Sequence, residues 1–450
     1  MLPKENLSIG IASRYGKPIG PGVEGYYYSI YHLASELGKL GHKVHLLAHR
    51  DSIIPEGVQL YPAYPHNASF NGEVLNWSYQ LVDLAKFYSS LKGRVDIFNA
   101  HTDHMSCFMA QFMQDPVLHT IVYANFGEDV QLILRAFSHQ PFSAKSRGTM
   151  ETYGYLNWVG LAYNGYDVGK FPFNAEQGNY LVSAARISPE RGIHHAINIA
   201  RKSGVPLIIA GAIQDEEYFR QLIEPQVDNR QIQYIGYLPK QALIEVLAGA
   251  MALVDTSVRP QNSPNTLLEA QACGTPVLLF PFSSAQEFVR EGVTGFLSQP
   301  GDFRSGASLR KHESDLIVAV SKIVGIDRTQ CRKFVADKFS IESMVRNYLD
   351  MYSRVINGTE SIAAMGIPLI SSDQNNVDSY RKYVKPIKEY FGNAPIQYLL
   401  IGPFIKRMVE RGVLPSDASP IIVAQALVNA GYEVRNLSNG NAIWLKTPIN

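Results

Sequence analysis

Residues 180–210 of this 450-residue chain decide the fold, because strand and helix patterns alternate within them: YLVSAARISPERGIHHAINIARKSGVPLIIA. The apolar runs 180–185 and 206–210 predict strands, and the amphipathic spacing of Ile193–Ser203 predicts a helix between them. Two strands joined by a helix predict a parallel pair with a crossover connection. The stretch therefore predicts an α/β fold with an open parallel sheet.

The alternation continues on both sides of this stretch and divides into two series. The later series adds helix or strand patterns at residues 216–223, 232–235, 240–248, 252–254, 267–273 and 276–280. The earlier series has its patterns at residues 7–12, 27–40, 43–48, 95–100 and 120–124, with Gly41 as a helix C-cap. Together they predict two doubly wound Rossmann-like domains that face a cleft and join near residues 163–174. Ligands of such sheets bind at the carboxyl ends of the strands, so the cleft is the expected site.

Composition excludes several classes of protein. The formal net charge is +1, so no overall field favours nucleic acid or an anionic membrane, although a peripheral membrane contact stays open. The N-terminus lacks a signal-peptide pattern, and no apolar run approaches the roughly 20 residues that span a bilayer, so we expect a cytoplasmic protein. Three distant cysteines, Cys107, Cys273 and Cys331, fit buried thiols rather than a metal site or a disulfide framework.

A phosphate-binding helix end is predicted at residues 261–270, QNSPNTLLEA. Ser263 suits the N-cap and Pro264 the first helical position, so the next three main-chain amides would point out of the positive end of the helix dipole. Those amides belong to Asn265, Thr266 and Leu267. Glu269, one turn later, could accept hydrogen bonds from two ribose hydroxyls. An ordinary capped helix with a surface glutamate is the alternative.

Three other loops carry polar or glycine-rich patterns. Arg186 and Arg191 lie on one loop after a strand and could clamp a diphosphate, or they could be solvated residues paired with Glu190. The glycines of residues 20–25 would let the backbone approach a ligand, but this signal alone is weak. The segment 101–104, His-Thr-Asp-His, has no third ligand in sight, so we expect a cleft-facing loop and no metal.

Several of these motifs occur in an order and spacing that resemble one family. The similarity runs from about residue 8 to residue 356 and is closest in NWV (157–159), YNGYD (163–167), RISPERG (186–192), LEAQACGTPV (268–277) and EGVTGF (291–296). The chain resembles the retaining GT-B glycosyltransferases, the family of sucrose synthases and phosphatidylinositol mannosyltransferases, with a C-terminal extension.

The resemblance implies roles for individual residues. Glu269 matches the glutamate that holds the nucleotide ribose, Arg186 matches the diphosphate arginine, and Gly25 matches the glycine beside the reacting sugar. Gly236 and Tyr237 match the segment whose backbone meets the base. These five positions would make the cleft a nucleotide-sugar site.

Three positions depart from the family's pattern. Gln261 stands where a glutamate binds the donor sugar, and Arg191 stands where a lysine binds the diphosphate. Asn125 or Phe126 stands where a histidine usually follows a strand. Gln261 keeps hydrogen-bonding groups without a charge, and Arg191 keeps the charge with a different geometry.

The function that the resemblance implies is transfer of a hexose from a UDP- or GDP-sugar to an acceptor, with retention of configuration. No metal and no cofactor beyond the nucleotide-sugar co-substrate would be needed, and the product would be a polysaccharide or glycoconjugate. The departures leave open a catalytically weak or inactive protein that acts as a binding or regulatory module. A sugar-nucleotide epimerase or a phosphorylase is a further alternative, and the acceptor stays open.

The predicted domain organisation has five parts. Residues 1–165 form the acceptor-side domain, 166–340 the nucleotide-sugar domain, and 341–356 a helix that crosses back to the first domain. Residues 357–377 are a linker candidate. Residues 378–450 predict a small α+β, winged-helix-like module with helices at 396–411 and 419–430 and a hairpin around Asn439 and Gly440. Its nine basic residues are partly offset by five acidic ones, so we expect no strong binding of nucleic acid and favour a protein partner or self-association.

Overall fold

A computed structural model describes most of the first 358 residues and three strands beyond them. The described residues are 6–14, 16–21, 25–63, 73–123, 126–258, 264–282, 284–299, 303, 305–358, 398–400, 434–437 and 440–444. For residues 73–78 and for the three last segments the backbone alone is described. The chain divides into two compact units, Met1–Leu369 and Ile370–Asn450.

The first domain is built on a seven-stranded, all-parallel sheet in the order β3-β2-β1-β4-β5-β6-β7. Its strands are β1 (Ser8–Ala12), β2 (Lys43–His49), β3 (Val58–Ala63), β4 (Ile97–Ala100), β5 (Val117–Thr120), β6 (Pro141–Ala144) and β7 (Asn157–Leu161). Its helices are α1 (Gly25–Lys39), α2 (Glu73–Leu91), α3 (Cys107–Ala110), α4 (Glu128–Ala136) and α5 (Arg147–Thr152). Gly41 has a φ of 87°, so it ends α1 in the left-handed conformation that the sequence predicts.

The strand predicted at residues 120–124 is wrong in its bounds, because β5 ends at Thr120. The main-chain nitrogens of Val122 and Tyr123 donate to Oδ1 of Asp103 at 2.6 and 3.3 Å. The Asp103 side chain thus binds the two amides that would otherwise pair with the neighbouring strand, and β5 ends before them.

The second domain has a six-stranded, all-parallel sheet in the order β10-β9-β8-β11-β12-β13. Its strands are β8 (Leu181–Ala184), β9 (Leu207–Ala210), β10 (Ile232–Tyr234), β11 (Ala252–Asp255), β12 (Val277–Leu279) and β13 (Gly295–Leu297). Its helices are α6 (Ile193–Ser203), α7 (Glu216–Tyr218), α8 (Lys240–Gly249), α9 (Asn265–Ala272), α10 (Gly306–Lys322) and α11 (Arg328–Lys338). A π-helical turn, Phe219–Ile223, follows α7, so residues 216–223 are helical without being one α-helix.

Helix α12 (Ile341–Ile356) follows the second domain but packs into the core of the first. Tyr352 accepts a hydrogen bond from Nδ2 of Asn99 at 2.7 Å, and a Cβ on Gly160 would lie 2.6 Å from Met351. Glycine at residue 160 therefore lets the helix lie directly on β7. The chain in this way crosses between the two domains twice.

Glu287 joins the two domains near this crossing. It ends a 3-10 turn of the second domain, Ala285–Glu287, and is 9% exposed. Its carboxylate accepts hydrogen bonds from the main-chain nitrogens of Arg147 and Gly148, at 2.9 and 3.2 Å, and from the Tyr163 hydroxyl at 2.5 Å. Burial, and then the charge of Glu287, raise the pKa of Tyr163, so this hydroxyl stays a donor.

The second unit contributes an antiparallel sheet in the order β14-β16-β15. Its strands are β14 (Tyr398–Leu400), β15 (Val434–Leu437) and β16 (Gly440–Trp444), and the pairing of β15 with β16 agrees with the predicted hairpin. The helix predicted at 396–411 is wrong at its start, because β14 pairs there with β16. The rest of the predicted linker and module lies outside the described residues.

Among the described residues, no helix combines the length and the apolar character that a membrane crossing requires.

Candidate active site

A cavity of about 240 Å³ opens where β8 and β11 end and α9 begins. It is lined by residues of those three elements, of the loop after β8 and of the start of α6: Ser183, Ala184, Ala185, Arg186, Arg191, Ile193, Leu253, Val254, Asp255, Pro264, Asn265, Thr266 and Leu267. The structure therefore brings together both predicted arginines and all three residues of the predicted helix end.

The loop that carries Arg191 is fixed by close packing at Gly192. Gly192 has a φ of 62°, and a Cβ there would lie 2.4 Å from the carbonyl oxygen of Thr256. The Thr256 hydroxyl also donates to the Gly192 carbonyl at 2.8 Å. Only glycine allows this approach, so the loop is held against the chain that follows β11.

The two arginines differ in their surroundings. Arg186 is exposed at the cavity. Arg191 is half-buried, and its Nη1 reaches Ser257 Oγ at a long 3.5 Å. Its Nε is buried and has no hydrogen-bond partner in the part of the chain that the structure describes. A buried donor without a partner is costly, so a group that accepted a hydrogen bond from this guanidinium would remove that cost.

The start of α9 differs by one residue from the prediction. The helix begins at Asn265, and Pro264, with φ −80° and ψ 77°, occupies the N-cap position assigned to Ser263. The Leu267 amide donates to the Pro264 carbonyl at 3.1 Å, so this amide is not available to a ligand as predicted. Ser263 lies outside the described residues.

Asn265 is held by the segment that joins the domains. Its Oδ1 accepts hydrogen bonds from the Tyr166 hydroxyl at 2.6 Å and from Nδ2 of Asn164 at 3.3 Å. Gly25, the first residue of α1, approaches from the other domain with a φ of 61°, and a Cβ there would lie 3.2 Å from Asn265 Nδ2. The first glycine loop and the start of α9 therefore meet across the cleft.

A second cavity, of about 290 Å³, lies on the Gly25 side of this contact. Both domains line it, through Pro21, Gly25, Tyr28, Ser29, Tyr166, Lys170, Phe171, Lys240, Gln241, Ile244 and Glu269. The Glu269 side chain is 5% exposed and forms an ion pair with Lys240. Burial, and then the charge of Glu269, raise the pKa of Tyr166 well above its usual value, so Tyr166 stays neutral and donates to Asn265.

Comparison with known proteins agrees with this architecture. Residues 170–309 match the family model of the glycosyl transferases group 1. A glycogen synthase of Mycobacterium tuberculosis is 25% identical over 327 residues, which span 61% of this chain and 78% of the mycobacterial protein. Residues 170–309 are thus similar to the group 1 glycosyl transferases, and the two parallel-sheet domains have the GT-B fold.

Solved structures of GT-B glycosyltransferases have the same fold. HepE of Anabaena, in complex with UDP and glucose, gives a TM-score of 0.58 at 16% identity over 77% of this chain and 99% of HepE. The sucrose-phosphate synthase of Thermosynechococcus elongatus gives 0.61 at 14% identity over 78% of this chain and 100% of the synthase. At these identities the likeness concerns the fold.

The other residues predicted for the site lie apart from the two cavities or outside the described residues. Gly236 has a φ of 74° and accepts a hydrogen bond from the Gly211 amide at 2.8 Å, and Tyr237 is 67% exposed beside it. Neither residue lines either cavity. Asn125 and Gln261 are not among the described residues.

Phe126 packs into the first domain. Its main-chain nitrogen donates to the Tyr153 hydroxyl at 2.9 Å, and its ring centroid lies 5.7 Å from that of Tyr153. The side chain is half-buried in the apolar cluster around β6. The ring that replaces the family's histidine thus has a packing role.

The segment 101–104 holds the loops at the ends of β1 and β5. Asp103, at a φ of 52°, forms an ion pair with Arg14 at 2.5 Å, and the Arg14 guanidinium lies 3.8 Å above the exposed ring of Tyr123. The Asp103 carboxylate also fixes the chain after β5. Its oxygens are therefore occupied by protein groups, as a structural role requires.

Sequence reasoning missed three residues of the site. Asn164 and Tyr166 belong to the YNGYD motif (163–167) on which the family resemblance partly rests, but the sequence indicated no role for either residue. Lys240 follows Pro239 in an ordinary helix start, and nothing in the local pattern indicates its contact with Glu269.

Proposed function

We propose that this protein transfers a hexose from a nucleoside-diphosphate sugar to an acceptor with retention of configuration. The observation that carries the proposal is one cavity that Arg186, Arg191 and the first residues of α9 line together. Two guanidinium groups and a helix N-terminus match the charge of a diphosphate. Glu269, in the adjoining cavity, supplies a carboxylate for the ribose.

The difficult step is departure of the diphosphate, because negative charge builds up on its oxygens. Preorganised donors aimed at that charge lower the barrier. Arg191 suits this task because it lines the cavity, its Nε is already desolvated, and a guanidinium offers several donors to a diphosphate. Arg186, at the mouth of the same cavity, adds a second charge.

Retention needs no protein nucleophile if the acceptor attacks from the face that the diphosphate leaves. The leaving phosphate oxygen then takes the proton of the acceptor hydroxyl as the new glycosidic bond forms. Two arginines supply the positive charge that a divalent cation supplies elsewhere, so we propose a metal-independent reaction. The nucleotide sugar is the co-substrate, and no other cofactor is required.

The ligands of a protein with the same fold support a nucleotide-sugar donor. HepE was solved with UDP and glucose, and also with UDP-glucose. We therefore place UDP-glucose first among the donors to be tested, and GDP-sugars second. The acceptor would meet the ends of β1, β4 and β5, where Arg14 and Tyr123 lie.

A donor-binding protein without transferase activity is the second candidate, and the packing of Phe126 favours it. That ring lies in the apolar cluster around β6, where it can neither donate nor accept a proton or hydrogen bond. The two candidates share the donor site and differ in turnover.

Labelled UDP- and GDP-sugars incubated with the purified protein distinguish these candidates. Release of nucleoside diphosphate, or transfer to added sugars, supports the enzyme, and NMR of the product's anomeric proton tests retention. The same reaction with EDTA tests the absence of a metal. Tight binding without turnover supports the binding protein, and interconversion of the donor sugar would support an epimerase instead.

The second unit has a separate proposal, because five acidic residues offset part of the nine basic ones in residues 378–450, which favours a protein partner or self-association over nucleic acid. Light scattering of the full chain and of a chain ending after residue 356 tests it. An unchanged oligomeric state together with no captured partner would contradict it.

A further inference from the structure

Lys240 and Glu269 form an ion pair inside the 290 Å³ cavity. The Glu269 side chain is 5% exposed and the Lys240 side chain 29% exposed, so the pair is largely shielded from water. In the part of the chain that the structure describes, Lys240 is the cation in ion-pair contact with Glu269. The carboxylate that would hold the ribose is therefore already engaged by a lysine.

The position of Lys240 is fixed by its helix. It is the first residue of α8, directly after Pro239 at the N-cap, so its backbone is restricted in φ and ψ by the helix start. Ile244, one turn later, packs in the same apolar cluster as Leu267 and Leu268 of α9. Because α8 and α9 share this core, the lysine and the glutamate face each other at a set distance.

A shielded carboxylate needs a partner of opposite charge. An uncompensated charge in such a site is strongly destabilised, whereas a paired one keeps its ionised form and its orientation. Glu269 Oε1 contacts the Lys240 ammonium, and Glu269 lines the cavity with a carboxylate whose second oxygen, Oε2, is a further acceptor. One oxygen is thus committed to the lysine, and the other can serve a ligand.

We propose that Lys240 is a positioning residue, which holds the Glu269 carboxylate oriented for the hydroxyls of a nucleotide ribose. This inference rests on the proposed function, because it presumes that a nucleotide binds at Glu269. Lys240 in this role acts through Glu269 and sets the preference of the site for ribose over deoxyribose. The opposite role, a lysine that merely competes with the ribose for the carboxylate, would make its removal improve binding.

Calorimetric titration of the full chain with UDP and with 2′-deoxy-UDP tests this role. A hydrogen bond to a charged group corresponds to about tenfold to hundredfold in affinity, so the parent chain should prefer UDP by that factor. Lys240→Met should reduce the preference to about threefold or less, and Lys240→Arg should largely keep it. In a Glu269→Gln chain, adding Lys240→Met should change neither affinity further, because the pair acts as one unit.

Lys170 provides a matched control. It lines the same cavity, but its ion-pair partner is Asp167 at 3.6 Å rather than Glu269. Lys170→Met should therefore alter the affinities for UDP and 2′-deoxy-UDP by the same factor. Lys240→Arg also shows whether a charge at residue 240 is sufficient, should Lys240→Met fold poorly.

The outcomes separate the inference from the proposed function. A Lys240→Met chain that keeps the full preference for UDP, or binds UDP more tightly than the parent, would overturn the positioning role. If UDP, GDP and ADP all fail to bind the parent chain, the proposal of a nucleotide site is wrong, and the role proposed for Lys240 is wrong as well.

Discussion

Replacing Glu287 by alanine should loosen the junction between the two domains. The carboxylate accepts three hydrogen bonds, two from the start of α5 and one from Tyr163, and it is 9% exposed. Each donor left without a partner costs about 1–3 kcal/mol. Because some water can reach the junction, we expect the lower part of that range, about 3–5 kcal/mol in total.

Equilibrium unfolding in urea, followed by tryptophan fluorescence, measures this loss. With a denaturant dependence of about 3 kcal/mol/M, the midpoint should fall by about 1 M or more. Glu291→Ala is the matched control, since Glu291 is exposed and accepts one hydrogen bond, from the Leu297 amide at 2.8 Å. That change should cost about 1 kcal/mol or less. Equal midpoints for the two variants would refute the assigned role of Glu287.

Three further changes test the site and one buried charge. Arg186→Ala should lower kcat by about tenfold to a hundredfold in steady-state assays, because its charge matters most as the diphosphate leaves, and unchanged turnover would remove Arg186 from the mechanism. Glu269→Ala should weaken binding of nucleoside diphosphate by about tenfold in calorimetry, and equal binding would contradict the ribose role. Burial lowers the pKa of Lys145 to about 7, below its value in the unfolded chain. Above pH 7 the folded state therefore binds fewer protons than the unfolded state. The free energy of unfolding should rise from pH 7 to 9 by up to about 1.4 kcal/mol per pH unit. Lys145→Met should remove this rise from urea midpoints measured at pH 7, 8 and 9, and parallel profiles for the two chains would contradict it.

The sheets and the long helices could be predicted because their signals are local. In an all-parallel sheet both faces are covered by helices, so strands such as β8 and β9 consist of short, almost continuous apolar runs. The prediction failed at β5, where buried His119 and Thr120 interrupt the apolar run and Val122 and Tyr123 extend it falsely. The deciding contact, from Asp103, joins residues that no local pattern connects.

The candidate site likewise has parts that the sequence predicts and parts that it does not. Arg186, Arg191 and the start of α9 follow strands and precede helices, so their position at one edge of the sheet could be inferred from sequence order. The one-residue shift in the start of α9 could not be predicted from the sequence. The choice between Ser263 and Pro264 as N-cap depends on tertiary context as well as on residue type. The Lys240–Glu269 pair depends on the packing of α8 against α9, which periodicity does not specify.

The contact between Gly25 and Asn265 has a consequence for the timing of catalysis. Asn265 lines the cavity of the arginines, Gly25 lines the cavity of Glu269, and a single methyl group at residue 25 would lie 3.2 Å from Asn265. A nucleotide with its phosphates in one cavity and its ribose in the other must pass this constriction. In the proposed reaction, we therefore expect the two domains to hinge apart to admit the donor and again to release the spent nucleotide, and the frequency of that opening would set an upper limit on turnover.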